Sequence, residues 1–143
     1  MTSYRKSTTD LYMDMMSQPD LSAYLQSNEK EFSERNTAQL LSTLMVGKGY
    51  TKAEIARRAC VSAVYLHQVL AGRRQPSRNR LLCICLGMGA TLEETQRLLL
   101  QAVYAQLYPK VKRDSIIIFG ILHHLSVPEV NDKLFTEDEE TLN

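Results

Sequence analysis

Between Lys48 and Arg80 the chain places eight basic residues against a single acid, Glu54, a local charge of +7 in a protein whose net charge is only +1. Cations at that density are chemistry for holding a polyanion, and their concentration on one segment is the electrostatic footprint of such a partner. The flanks differ: residues 1–47 sum to −2, residues 81–113 to +2 and residues 114–143 to −6. Other reactive residue types are present without a productive spacing. Cys83-x-Cys85 and His123-His124 are metal-ligand types, yet helical residues two apart lie on nearly opposite faces and adjacent ones diverge by about 100°, so neither pair converges. No Ser/His/Asp order, phosphate-cradling glycine loop or paired-carboxylate setting stands out. We therefore expect no catalytic residues, no metal and no cofactor. His67 reads as a surface or phosphate-facing group, and Asp138-Glu139-Glu140 as a solvated tail.

The elements that must carry the cations lie in Thr51–Ser77, TKAEIARRACVSAVYLHQVLAGRRQPS. Thr51 and Glu54 form a capping box that opens a short helix with Ile55 and Ala59 inward and Lys52 and Arg57 outward. Cys60-Val61-Ser62 makes a turn, and Ser62 caps a second helix in which Leu66, Val69 and Leu70 face the core. Ala63, Val64, Tyr65 and Gln68 are left on or near its outer side. Ala71-Gly72 closes this helix through a left-handed glycine. Two short amphipathic helices around a tight turn are the usual means of placing one helix in the DNA major groove.

Around this pair the pattern is helical throughout. A short helix over Thr8–Met16, with Thr8 or Thr9 as cap, precedes one capped by Asp20 that carries Leu21, Tyr24 and Leu25. The methionines Met13, Met15 and Met16 suit adaptable packing of this arm. The main domain is expected to start near Asn36, with Leu40, Leu41, Leu44 and Met45 at helical spacing and a stop at Gly47-Lys48-Gly49. A fourth helix of that domain runs from about Ser77 to Met88. A fifth opens at the capping box Thr91/Glu94 and extends toward Tyr108, with Tyr104 and Tyr108 one turn apart as packing residues. Asp114–Leu122 reads as helix despite the β-prone Ile116-Ile117-Ile118. Ser126 caps a last helix, Val127–Phe135, with Pro128 in its first turn. The first seven residues and the tail TEDEETLN are expected to fray.

At 143 residues, 44% hydrophobic and 23% charged, the chain suits one core with terminal additions. No apolar run approaches the roughly 18 residues of a membrane span. The start lacks the apolar region of a secretory signal. Three cysteines without a disulfide spacing fit reduced thiols and a cytoplasmic location.

Residues 37–101 resemble the Cro/C1-type helix-turn-helix domain of phage repressors and the XRE family of bacterial regulators. TKAEIARRACVS matches the second helix and turn, VYLHQVLAGRRQPS the third helix and its exit, and LLCICLGMGATLEE helices four and five. The resemblance implies an all-α fold: a five-helix lambda-repressor-like domain over 36–104, an N-terminal helical arm over 1–35 and a C-terminal helical extension over 105–143. It implies a transcriptional regulator, not an enzyme, that reads the major groove of double-stranded DNA with helix 62–71, as a homodimer on a two-fold site. The residues expected at DNA are Thr51, Lys52, Ser62, Ala63, Val64, Tyr65, Gln68, Arg73, Arg74 and Arg78. Gln68 can bond adenine bidentately and Ala63 and Val64 can touch thymine methyls. Thr51 and Lys52 hold phosphate at a helix N-terminus, and the arginines meet the backbone beyond the reading helix.

Three departures from the family pattern bear on function. Cys60 replaces the usual turn glycine and must either take a left-handed conformation or bend the turn differently. The base-facing set is poor in hydrogen-bonding groups, which points to DNA shape or to low specificity. Cys83 and Leu86 stand where exposed charges are usual, so this face is expected to be covered by the arm or a second subunit. The alternative function is a protein-interaction module with this fold and little DNA sequence specificity. A protein partner would then engage the arm or the C-terminal extension.

Overall fold

A computed structural model describes residues 6–29 and 37–143, which form helices and no strand. Residues 1–5 of the expected frayed start, and the expected domain start at Asn36, lie outside the described residues. Two compact units divide the chain at Arg35/Asn36. The first holds α1 (Thr8–Ser17) and α2 (Leu21–Ser27). Ser7, rather than Thr8 or Thr9, caps α1: its Oγ accepts from the Asp10 amide at 3.1 Å, and the Asp10 carboxylate accepts from the Ser7 amide at 3.2 Å. All three candidates are hydroxyl residues in succession, and only Ser7 has an acid three positions on to complete the box. Asp20 caps α2 as expected. Lys6 Nζ donates to Asp14 at 2.5 Å and to Asn28 Oδ1 at 2.6 Å, joining the start of α1 to the end of α2. Tyr12, Met13, Met15 and Met16 are exposed.

The second unit comprises α3 (Thr37–Met45), α4 (Lys52–Arg58), α5 (Ala63–Leu70), α6 (Arg78–Met88), α7 (Leu92–Gln101), α8 (Lys112–Leu122) and α9 (Val127–Thr136). Four of its helices open on a hydroxyl cap predicted from sequence: Thr51, Ser62, Thr91 and Ser126. At its centre is α6, in which every residue from Leu81 to Met88 is buried. A helix apolar all round must be enclosed on all sides, and α4, α7 and α9 pack against it. Cys83 and Leu86 are thus buried in the core of this unit, where α4, α7 and α9 pack on α6. Leu41, Ile55, Leu66, Leu98, Ile117 and Leu134 complete one core, each at most 1% exposed.

Two expectations fail at the C-terminal side. The helix from Thr91 stops at Gln101 because Val103 turns left-handed, φ 62°, so Tyr104 and Tyr108 are not helical neighbours. Tyr104 instead donates from its hydroxyl to the Pro76 carbonyl at 2.6 Å, while Tyr108 is exposed. The acidic tail is also anchored. Leu142 is buried, its amide donates to Asn131 Oδ1 at 2.8 Å, and Arg113 holds the carbonyls of Glu140 and Thr141 at 2.8 and 3.2 Å. The charges of the tail stay outward while one leucine and the backbone carry the attachment.

Candidate nucleic-acid interface

The turn between α4 and α5 begins at the closure of α4. Val61 N donates to Ala56 O at 3.0 Å and Cys60 N to Arg57 O at 3.1 Å, with Cys60 left-handed at φ 59°. These are the paired bonds of a Schellman motif, so Cys60 takes the glycine conformation rather than bending the turn differently. Ser62 Oγ then accepts from the Tyr65 amide at 3.0 Å and starts α5. The second helix closes through the same two bonds: Gly72 N to Val69 O at 3.1 Å and Arg73 N to Gln68 O at 2.9 Å, with Gly72 at φ 75°. Both exits are therefore defined by backbone hydrogen bonds, which set the direction of α5 against α4.

On α5 the structure leaves Ala63, Val64 and His67 exposed and Gln68 half-buried. Val64 is 67% exposed, an apolar side chain presented to solvent. Tyr65 differs from the expectation: it is buried, 7% exposed, on the inner side with Leu66 and Val69. The signal was present, since positions 65 and 69 are one turn apart and share a face. Ser62 keeps its hydroxyl on the Tyr65 amide. At the start of α4, Thr51 Oγ1 accepts from Glu54 N at 3.1 Å, and Glu54 Oε1 faces the Thr51 amide at 3.4 Å. That hydroxyl and that amide are engaged within the chain. The amides of Lys52 and Ala53, with the exposed Lys52 ammonium, are what this terminus still offers an anion.

The eight cations of the Lys48–Arg80 segment separate into two groups. Lys48 pairs with Glu94 at 2.6 Å. Burial raises the Glu94 carboxyl, but the hydrogen bonds from Lys48 and Thr91 and the Lys48 charge outweigh it and hold the group below its ordinary value. Arg58 donates from Nε to Gly87 O at 2.7 Å and lies over the Tyr50 ring, 4.3 Å from its centroid. Arg78 was expected at the DNA backbone. Instead it donates to Ala105 O at 2.9 Å and pairs with the buried Asp114 at 3.3 Å, tying α6 to the segment before α8 and to the first turn of α8. Its partner is 36 residues away, beyond any local pattern.

Lys52, Arg57, Arg73, Arg74 and Arg80 are exposed and make no ion pair among the described residues. Arg80 was absent from the expected set, although it lies in the same basic segment. Its guanidinium sits 4.6 Å from the Tyr65 ring centroid, and that of Arg74 sits 5.0 Å from the same point. Among the described residues no group of three His, Cys, Asp or Glu could hold a metal, and Cys83 and Cys85 are buried while His123 and His124 are exposed. A groove of about 720 Å³ between α8 and α9 is lined by Lys112, Phe119, Asp132 and Lys133 among others, and none of the expected DNA residues borders it.

Residues 33–98 match the family model of a helix-turn-helix domain. The match spans α3 to most of α7, so the turn and helices described above are a helix-turn-helix within an all-helical fold. Comparison with curated proteins and with solved structures returns no match. No helix among the described residues is long and apolar enough to cross a membrane.

Proposed function

We propose that the chain is a cytoplasmic bacterial transcriptional regulator of the Cro/C1-type, XRE-like class, whose α5 enters the DNA major groove. One observation carries the reading: the cations that flank α5, Lys52 and Arg57 before it and Arg73 and Arg74 after it, have no ion-pair partner among the described residues. The cations committed to internal contacts, Lys48, Arg58 and Arg78, serve packing instead. Phosphate contacts set register and affinity, while the exposed Ala63 and Val64 and the half-buried Gln68 face the bases. Binding as a dimer on a two-fold site accompanies this reading.

The test is binding of the full chain to random duplexes across a salt series. Affinity should fall steeply with salt, and a defined sequence should be enriched. Arg73→Ala with Arg74→Ala should weaken binding to all duplexes alike. Absence of binding at low salt would reject the proposal. The second reading, a protein-interaction module, is favoured by the exposure of Val64, an apolar group that offers no hydrogen bond to a base edge. It predicts no sequence enrichment.

A further inference from the structure

We propose that Tyr65 is a positioning residue whose ring holds the Arg74 and Arg80 guanidiniums together as a two-cation clamp for one DNA backbone phosphate. This rests on the DNA-binding reading above and adds to it a mechanism and a residue, Arg80. Both guanidinium carbons lie within 5.0 Å of the Tyr65 centroid, so they lie within about 10 Å of each other. Neither guanidinium has a carboxylate partner among the described residues. Two like charges held that close repel. The negative face of an aromatic ring offsets part of that cost, and an anion within reach of both would offset more of it.

The ring is a fixed platform. Tyr65 is 7% exposed, and its amide is bonded to Ser62 Oγ in the first turn of α5. Arg74 comes from the loop after α5 and Arg80 from the first turn of α6. A single side chain on the reading helix thus gathers cations from two other segments and holds them in register with that helix. Preorganised guanidiniums lose less side-chain freedom when they take a phosphate. If the arginines merely cover the ring with their stems, the contact is packing alone and makes no demand on salt dependence.

The experiment measures binding of the full chain to a labelled duplex of mixed sequence by fluorescence anisotropy, over roughly 50 to 300 mM salt. Tyr65→Phe keeps the ring and should keep both affinity and salt slope. Arg80→Ala should weaken binding about three- to tenfold and lower the slope by about one phosphate contact. Tyr65→Leu should do likewise, and Arg80→Ala should cost distinctly less in that background than in the wild type. An unchanged salt slope in Arg80→Ala, or equal costs in both backgrounds, overturns the clamp. Should Tyr65→Leu fail to fold, Arg74→Ala, Arg80→Ala and their double variant decide, both residues being exposed: losses that simply add overturn the clamp. Failure of the wild type to bind any duplex overturns the DNA-binding reading itself. Wild-type binding with a slope indifferent to Arg80 overturns only the clamp.

Discussion

Gly87 and Ala59 meet backbone to backbone: a Cβ placed on Gly87 would stand 2.7 Å from the Ala59 nitrogen and 3.0 Å from its Cα. Gly87 lies in the central helix α6, and Ala59 is the residue on which α4 ends, just before the turn. The close approach sets the depth at which the first helix of the pair seats on the core, and Arg58 reinforces it through its bond to the Gly87 carbonyl.

Gly87→Ala therefore tests this contact directly. Helix propensity alone favours alanine by about 1 kcal/mol. Overpacking against backbone that cannot swing away costs about 1–3 kcal/mol. We expect a net loss, read as a melting temperature lower by several degrees. A rise would mean that α4 can shift without cost.

Val103 and Cys60 occupy left-handed backbone at φ 62° and 59°. For residues with a Cβ this conformation costs roughly 1–2 kcal/mol, and β-branching makes valine the worse case. Glycine removes that strain but adds unfolded-state freedom worth about 0.4–1 kcal/mol. Val103 is 68% exposed, so truncation loses little packing. Val103→Gly should raise the denaturation midpoint by the equivalent of about 0.5–1 kcal/mol, and Cys60→Gly by less. Lower midpoints in both would show that these turns carry no strain.

These positions mark where the sequence is legible and where it is not. Caps are local, so Thr51 with Glu54, Ser62, Thr91 with Glu94, and Ser126 could be read from spacing alone. The glycine stop at Gly72 is equally plain. A stop that lacks glycine leaves no such mark, so the helical spacing after Thr91 continues past Val103. Burial on α5 was half-legible: Leu66 and Val69 define the inner face, and Tyr65 belongs to it by the same spacing. Which cations are free is not legible, because Arg78 and Asp114 meet only through the packing of the start of α6 beside the first turn of α8. The anchored tail leaves no signal in the sequence, because its net charge masks Leu142.

Arg78 separates stability from binding. Its removal leaves Asp114, 6% exposed, with the Tyr108 amide at 3.0 Å as its remaining partner among the described residues. Breaking a buried pair costs about 3–5 kcal/mol, less here because the Arg78 side chain keeps 23% exposure. Arg78→Ala should cost roughly 1–3 kcal/mol of stability and leave the salt slope of DNA binding unchanged. Arg73→Ala should do the reverse, lowering the slope by about one. A slope reduced by Arg78→Ala in folded protein would return that residue to the DNA surface.

The thiols give a pH signature whose sign follows from burial. Burial, with a smaller contribution from Cys60, raises the Cys83 thiol from 9.0 to about 11, and burial raises Cys85 from 9.0 to about 12 despite the Thr95 hydrogen bond. Cys60 is exposed. Iodoacetamide at pH 8 should therefore modify one thiol in the native chain and three in denaturant, counted by mass. Above pH 9 the unfolded chain releases thiol protons that the folded chain retains. The stability held by the neutral buried thiols is then complete below pH 9 and lost as pH rises toward 11 and 12. Unfolding free energies between pH 8 and 11 should decline more steeply for the native chain than for Cys83→Ala with Cys85→Ala. Equal slopes would assign the alkaline loss to other groups.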